Sequence, residues 1–139
     1  MGRKFCFSLL IFLLFLCLPG CQTRQRTVLP RCAVVTEVNV ECRYEDYLLQ
    51  RAYSTEEKIT AVLTYLRLLS PKQLHGTDPE QIAGERYVIR LHFSSGPDKV
   101  YYQHSNRFLS AQRSPWQAIS PTKADRLHDL MLHFPSDAK

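Results

Sequence analysis

The chain has 139 residues, 45% of them apolar and 22% charged, which suffices for one small globular core and excludes a large multidomain enzyme. Its 18 basic and 13 acidic side chains give a formal net charge of +5, and the first 20 residues hold two of the basic groups and none of the acidic ones. The remainder therefore carries +3, too little for a nucleic-acid-binding face and too mixed in sign for disorder, so no nucleic-acid partner is expected.

Arg3 and Lys4 precede an apolar run of fifteen residues, Phe5 to Pro19, broken only by Ser8. As a helix rising ~1.5 Å per residue this run reaches about 22 Å, short of a ~30 Å hydrocarbon core, and it fits the apolar middle of a secretory signal sequence. Residues 1–20 are expected to form a signal peptide. The alternative is an uncleaved signal anchor, but Gly20 and the polar Gln22 to Thr27 leave no length to extend the span.

Leu18-Pro19-Gly20-Cys21 resembles the lipobox of bacterial lipoproteins. The resemblance implies that Leu18 and Gly20 are read by the signal peptidase and that the thiol of Cys21 is alkylated by diacylglycerol. Only a sulfur nucleophile gives the thioether, and a small residue at position 20 lets the peptidase close on the bond. Pro19 departs from the pattern, which more often has Ala, Ser, Thr or Val there. Cleavage by the general signal peptidase is the alternative, and Leu18 counts against it because that enzyme favours small residues three and one before the cut. Two acyl chains at ~0.8 kcal/mol per buried methylene hold a protein stably without a transmembrane helix. Residues 21–31 then read as a lipid-anchored tether, and residues 32–139 as a single domain. No Asp follows Cys21, so nothing resembles the inner-membrane retention signal of Gram-negative lipoproteins.

Of five cysteines, Cys6 and Cys17 lie in the signal and Cys21 in the lipobox, which leaves Cys32 and Cys42 to the domain. Residues 34–42 alternate, with Val34, Thr36, Val38, Val40 and Cys42 on one side and Val35, Glu37, Asn39 and Glu41 on the other, as in a strand. A continuous strand would separate Cys32 from Cys42 by about 33 Å and forbid a disulfide. Only a hairpin near Glu37 to Asn39 would bring them together, and no Gly or Pro marks such a turn. Two unpaired thiols on one strand are expected, and they do not make a tetrahedral zinc site without a His pair.

Ser54-Thr55-Glu56-Glu57 reads as a capping box with Ser54 as the cap. The helix it starts carries Ile59, Val62, Leu63, Leu66 and Leu69 in one stripe, and Pro71 ends it. Lys72 to Gly84 reads as a connecting loop and as a candidate contact surface. Tyr87, Ile89, Leu91 and Phe93 then line one face of a strand. A turn centred on Gly96-Pro97 predicts Phe93 opposite Val100, Leu91 opposite Tyr102 and Ile89 opposite His104. Reversals at Ser105-Asn106-Arg107 and Arg113-Ser114-Pro115 lead to strands at Phe108 to Gln112 and Trp116 to Ile119. Ser120 caps a last helix with Pro121 at its first position, an apolar stripe of Ala124, Leu127, Leu130, Met131 and Phe134, and Pro135 at its end.

The order is β-α-β-β-β-β-α, an α+β domain with about five strands in an antiparallel meander and two helices packed on one face. The stretch from Tyr87 to Asp137, with Tyr101-Tyr102-Gln103, Arg107-Phe108-Leu109, Pro115-Trp116-Gln117 and the closing Leu130 to Pro135, is similar to the C-terminal part of small exported lipoproteins of clostridia-like bacteria. That resemblance implies no activity.

No glycine-rich phosphate loop, His-Glu-x-x-His pair, Gly-x-Ser-x-Gly elbow or closely spaced acidic set is present. No catalytic residue, cofactor or metal is expected. The one enzymatic alternative pairs Cys42 as nucleophile with His104 as base. His128 and His133, five apart on a helix, face different directions and read as solvated or rim residues. Trp116 reads as filler between the sheet and the last helix. Tyr101, with Arg90, His92 and Gln103, is expected to form a polar, partly aromatic, basic patch that meets an envelope protein or an anionic envelope polymer. These features predict an exported lipoprotein, anchored on the extracytoplasmic face of the cell membrane through diacylglyceryl-Cys21 and acting as a non-enzymatic binding module. The alternatives are a soluble secreted inhibitor or effector and, more remotely, the Cys42/His104 envelope enzyme.

Overall fold

The computed structural model describes residues 34–73, 79–112 and 114–137. The expected signal peptide, with Leu18 and Gly20, the expected tether from Cys21, and Cys32 lie outside the described residues.

The domain is α+β. Strands β1 (Val35–Tyr44), β2 (Tyr47–Tyr53), β3 (Lys72–Gln73), β4 (Arg86–Phe93), β5 (Lys99–His104), β6 (Phe108–Ala111) and β7 (Gln117–Ala118) form one sheet in the order β2-β1-β4-β5-β6-β7-β3. Every pairing is antiparallel. Helix α1 (Glu56–Leu68) and the segments α2 (Pro121–Ala124) and α3 (Arg126–His133) pack on one face. The expected last helix is present with a break at Asp125, whose backbone stays helical and whose side chain accepts a 2.7 Å hydrogen bond from Asn106 in the β5–β6 turn.

Alternation places the core. Val38, Val40 and Cys42 of β1, Tyr87, Ile89 and Leu91 of β4, and Ile59, Val62, Tyr65, Leu127 and Met131 of the helices belong to one buried cluster. Each fully buried aliphatic side chain contributes about 1.5–3 kcal/mol. The β1 pattern fails at its start, because the β1–β4 register shifts between Val35 and Glu37. The extra residue turns Val35 toward the core and leaves Val34 and Thr36 exposed.

The structure departs from the expected elements in three places. Residues 47–53, unassigned from the sequence, form the edge strand β2, joined to β1 by a two-residue tip in which Glu45 takes a φ of 50°. Lys72–Gln73, expected in a loop, pairs with β7 and closes the other edge. The capping box does not form, since Thr55 takes the cap position and makes no side-chain cap bond. Its place is taken by Asp137, whose carboxylate accepts from the backbone N–H of Ser54 (2.6 Å) and Thr55 (2.8 Å) and pairs with Lys58. An anion at the start of a helix satisfies orphan donors and the helix dipole from any distance in sequence.

The same C-terminal segment shields β2. Asp137 N–H donates to the Ala52 carbonyl at 2.9 Å, and Ala52 N–H donates to Ser136 Oγ at 3.1 Å. Tyr53 donates to the Phe134 carbonyl at 3.1 Å, and Arg51 donates to the Met131 carbonyl at 3.0 Å in the last turn of α3. An edge strand left bare invites pairing with other chains, and here residues 134–137 occupy it.

Candidate functional site

The β4–β5 register decides which side chains lie on the open face of the sheet. Leu91 pairs with Lys99, Ile89 with Tyr101, Tyr87 with Gln103, and Arg86 with His104. This is an odd number of residues away from the register expected from a turn centred on Gly96-Pro97, so every side chain of β5 changes face. Tyr101 and Gln103, expected on a binding patch, are each 2% exposed and lie on the helix-covered side, whereas Tyr102, expected in the core, is 40% exposed.

Gln103 is satisfied there. It accepts from the Tyr65 hydroxyl and donates to the Ser105 carbonyl at 3.0 Å, so helix α1 is bolted through the core to the β5–β6 turn. Burial pushes the Tyr101 hydroxyl up to about 12. Arg90 and His92 remain on the open face, separated from Tyr101 and Gln103 by the thickness of the sheet. His92 lies 2.8 Å from Asn39 Nδ2 through Nε2 and 2.9 Å from Asp98 through Nδ1. The four-residue patch is therefore not assembled.

The open face carries a groove of about 410 Å³ instead, lined by Arg86, Val88, Tyr102, Ser110, Gln112 and Trp116 among others. Cross-strand pairing aligns Val88, Tyr102 and Ser110 across β4, β5 and β6 as its floor. Trp116, expected between sheet and helix, is half-buried in its wall. Ser110 donates to the Ser114 carbonyl at 2.6 Å and ties the rim to β6. An aromatic pair beside an arginine, in a concavity of the ~300–1,000 Å³ class, suits a small ligand or a projecting side chain of a partner. Tyr102 and Trp116 could be marked as aromatic from the sequence, but their common side follows only from the register.

Cys42 and His104 do not meet. Cys42 pairs with Tyr87 on the covered face, and His104 pairs with Arg86 and Phe108 on the opposite face. His104 is buried under Gly84, where an added Cβ would lie 1.9 Å from Ser105 Oγ, so glycine permits this close approach. Cys42 is a buried free thiol, and desolvation raises its pKa, which disfavours a nucleophilic thiolate.

Around Cys42 stands a cluster the sequence did not announce. Ligand atoms of Cys42, Glu85 and His128 all lie within 4.8 Å of one another. The Tyr87 hydroxyl donates to Glu85 and lies 3.4 Å from His128 Nδ1. His133, its helix neighbour, is exposed and faces its own Asp129 carbonyl at 2.7 Å.

Among the described residues no helix is long and apolar enough to cross a membrane. Comparison with protein-family models, with curated proteins and with solved structures finds no match to this chain.

Proposed function

We propose that the chain is an exported lipoprotein, held to the extracytoplasmic face of the cell membrane by diacylglyceryl-Cys21, whose domain binds a partner through the open face of its sheet. The tether rests on Leu18-Pro19-Gly20-Cys21 at the end of a signal-like run. The binding reading rests on one observation, the groove between β4, β5 and β6 that places Tyr102 and Trp116 beside Arg86. With Arg90 on the same face, it favours an anionic envelope polymer or an acidic protein. Confinement to a surface raises effective concentration, so a contact weak in solution becomes useful at the membrane. Nothing in this mechanism calls on bond-making chemistry.

The test is intact mass and membrane fractionation of the native chain beside Cys21→Ala. The native form is expected in the membrane fraction, heavier than the 21–139 peptide by a diacylglyceryl group, and the variant is expected to lose both properties. An unmodified native protein recovered in the medium overturns the tether and leaves a secreted effector. Recovery in the membrane with residues 1–20 attached makes it a signal anchor.

A further inference from the structure

We infer that Cys42, Glu85 and His128 bind a single divalent transition-metal ion of borderline softness, zinc being the natural occupant, at a site independent of the open-face groove. Three elements converge on it: β1 supplies Cys42, the residue ahead of β4 supplies Glu85, and α3 supplies His128. The set combines one thiolate, one carboxylate and one imidazole, the donor types zinc takes, with bond lengths of about 2.0–2.3 Å. A tetrahedral ion at those lengths needs its ligand atoms roughly 3.4–3.7 Å apart. With every separation within 4.8 Å, a contraction of at most about 1 Å brings the three atoms to that spacing. Cys42 is buried on β1 between β2 and β4, while Glu85 and His128 are half-buried, so the contraction falls to their side chains.

The charges balance. Binding forms the metal–sulfur bond as the Cys42 proton leaves to solvent, and one thiolate and one carboxylate then neutralise a divalent cation. Tyr87 is placed as the outer partner. Its hydroxyl already reaches both Glu85 and His128, and such contacts orient ligands in metal sites. Three protein ligands leave a fourth position for water or a partner's donor. None of the three ligands lines the groove, so metal and groove ligand do not share a donor, and Tyr87 is the residue that borders both.

The experiment titrates the metal-stripped full-length chain with zinc against a chromophoric chelator, and repeats the titration with cobalt to read the thiolate-to-metal charge-transfer band. One ion per chain is expected. His128→Gln and Glu85→Gln should each weaken zinc binding tenfold or more, and Cys42→Ser should abolish the charge-transfer band. His133→Gln, an exposed control, should change nothing. If Cys42→Ser does not fold, the two half-buried positions carry the test. The absence of saturable zinc binding overturns the proposal. So does binding of unchanged strength and spectrum in both His128→Gln and Glu85→Gln, which would assign the metal to the other cysteines.

Discussion

The two faces of the sheet are built from alternate residues of the same strands and do opposite work. On the covered face Ile89, Tyr101 and Leu91 are buried against the helices. One residue away, Val88, Tyr102 and Arg90 look out from an open face with a groove in it. No stretch of sequence is reserved for either face, since parity along β4 and β5 assigns each side chain to the core or to the open face. A single odd step in register would exchange the roles, which is how Tyr101 and Tyr102 came to be reversed in the reading from sequence.

The contrast is broken most forcefully at neighbouring positions. Ile89→Ala is expected to cost about 2–5 kcal/mol by opening a cavity in the core, whereas Val88→Ala on the other face should cost under about 1 kcal/mol. Urea unfolding of the two variants measures the difference, and equal losses would mean that the open face is also covered.

A smaller effect is expected at the buried bolt. Gln103→Leu leaves the buried Tyr65 hydroxyl only its long 3.4 Å contact to the Ala124 carbonyl and should cost about 1–3 kcal/mol, part of which Tyr65→Phe recovers when added to it. Simple additivity of the two losses in unfolding experiments would contradict the coupling.

The smallest effect concerns the C-terminal clamp and carries a pH signature. The Lys58 ammonium, with the backbone N–H groups of Ser54 and Thr55, holds the Asp137 carboxyl well below its ordinary value of 3.8. A carboxyl whose pKa is lowered on folding contributes stability above that ordinary value and loses it as pH falls through it toward the lower folded value. Asp137→Asn should therefore lower Tm by a few degrees at neutral pH, and the gap from the native chain should begin to narrow below about pH 4 and close only toward the lower folded value. A gap that stays constant across the acid range would place the stabilisation elsewhere.

Fold class was legible because local periodicity carries it. Val38, Val40 and Cys42, the stripe of α1, the alternation of β4, the reversal at Ser105 to Arg107 and the Pro121 helix start all appear where the pattern sets them. What escaped was non-local. Strand β2 lacks clean alternation, with Leu48 exposed beside the half-buried Leu49, and its tip is Glu-Asp rather than a glycine turn. The β4–β5 register is set by the seven residues between the paired Leu91 and Lys99, whose centre is Ser95 and not Gly96-Pro97. The partner of the α1 start lies about 80 residues away in Asp137. Glu85 and His128 could be brought to Cys42 only once α3 was docked on the sheet, and Leu18-Pro19-Gly20-Cys21 lies outside the described residues.

The most direct test of a tethered module with one binding face is photo-crosslinking in the native membrane from two single positions, Tyr102 on the open face and Thr64 on exposed α1. Tyr102 is expected to yield a discrete envelope adduct, lost in the soluble Cys21→Ala form, and Thr64 none. An adduct from Thr64 without one from Tyr102, or a Tyr102 adduct of equal yield in the untethered form, would contradict it.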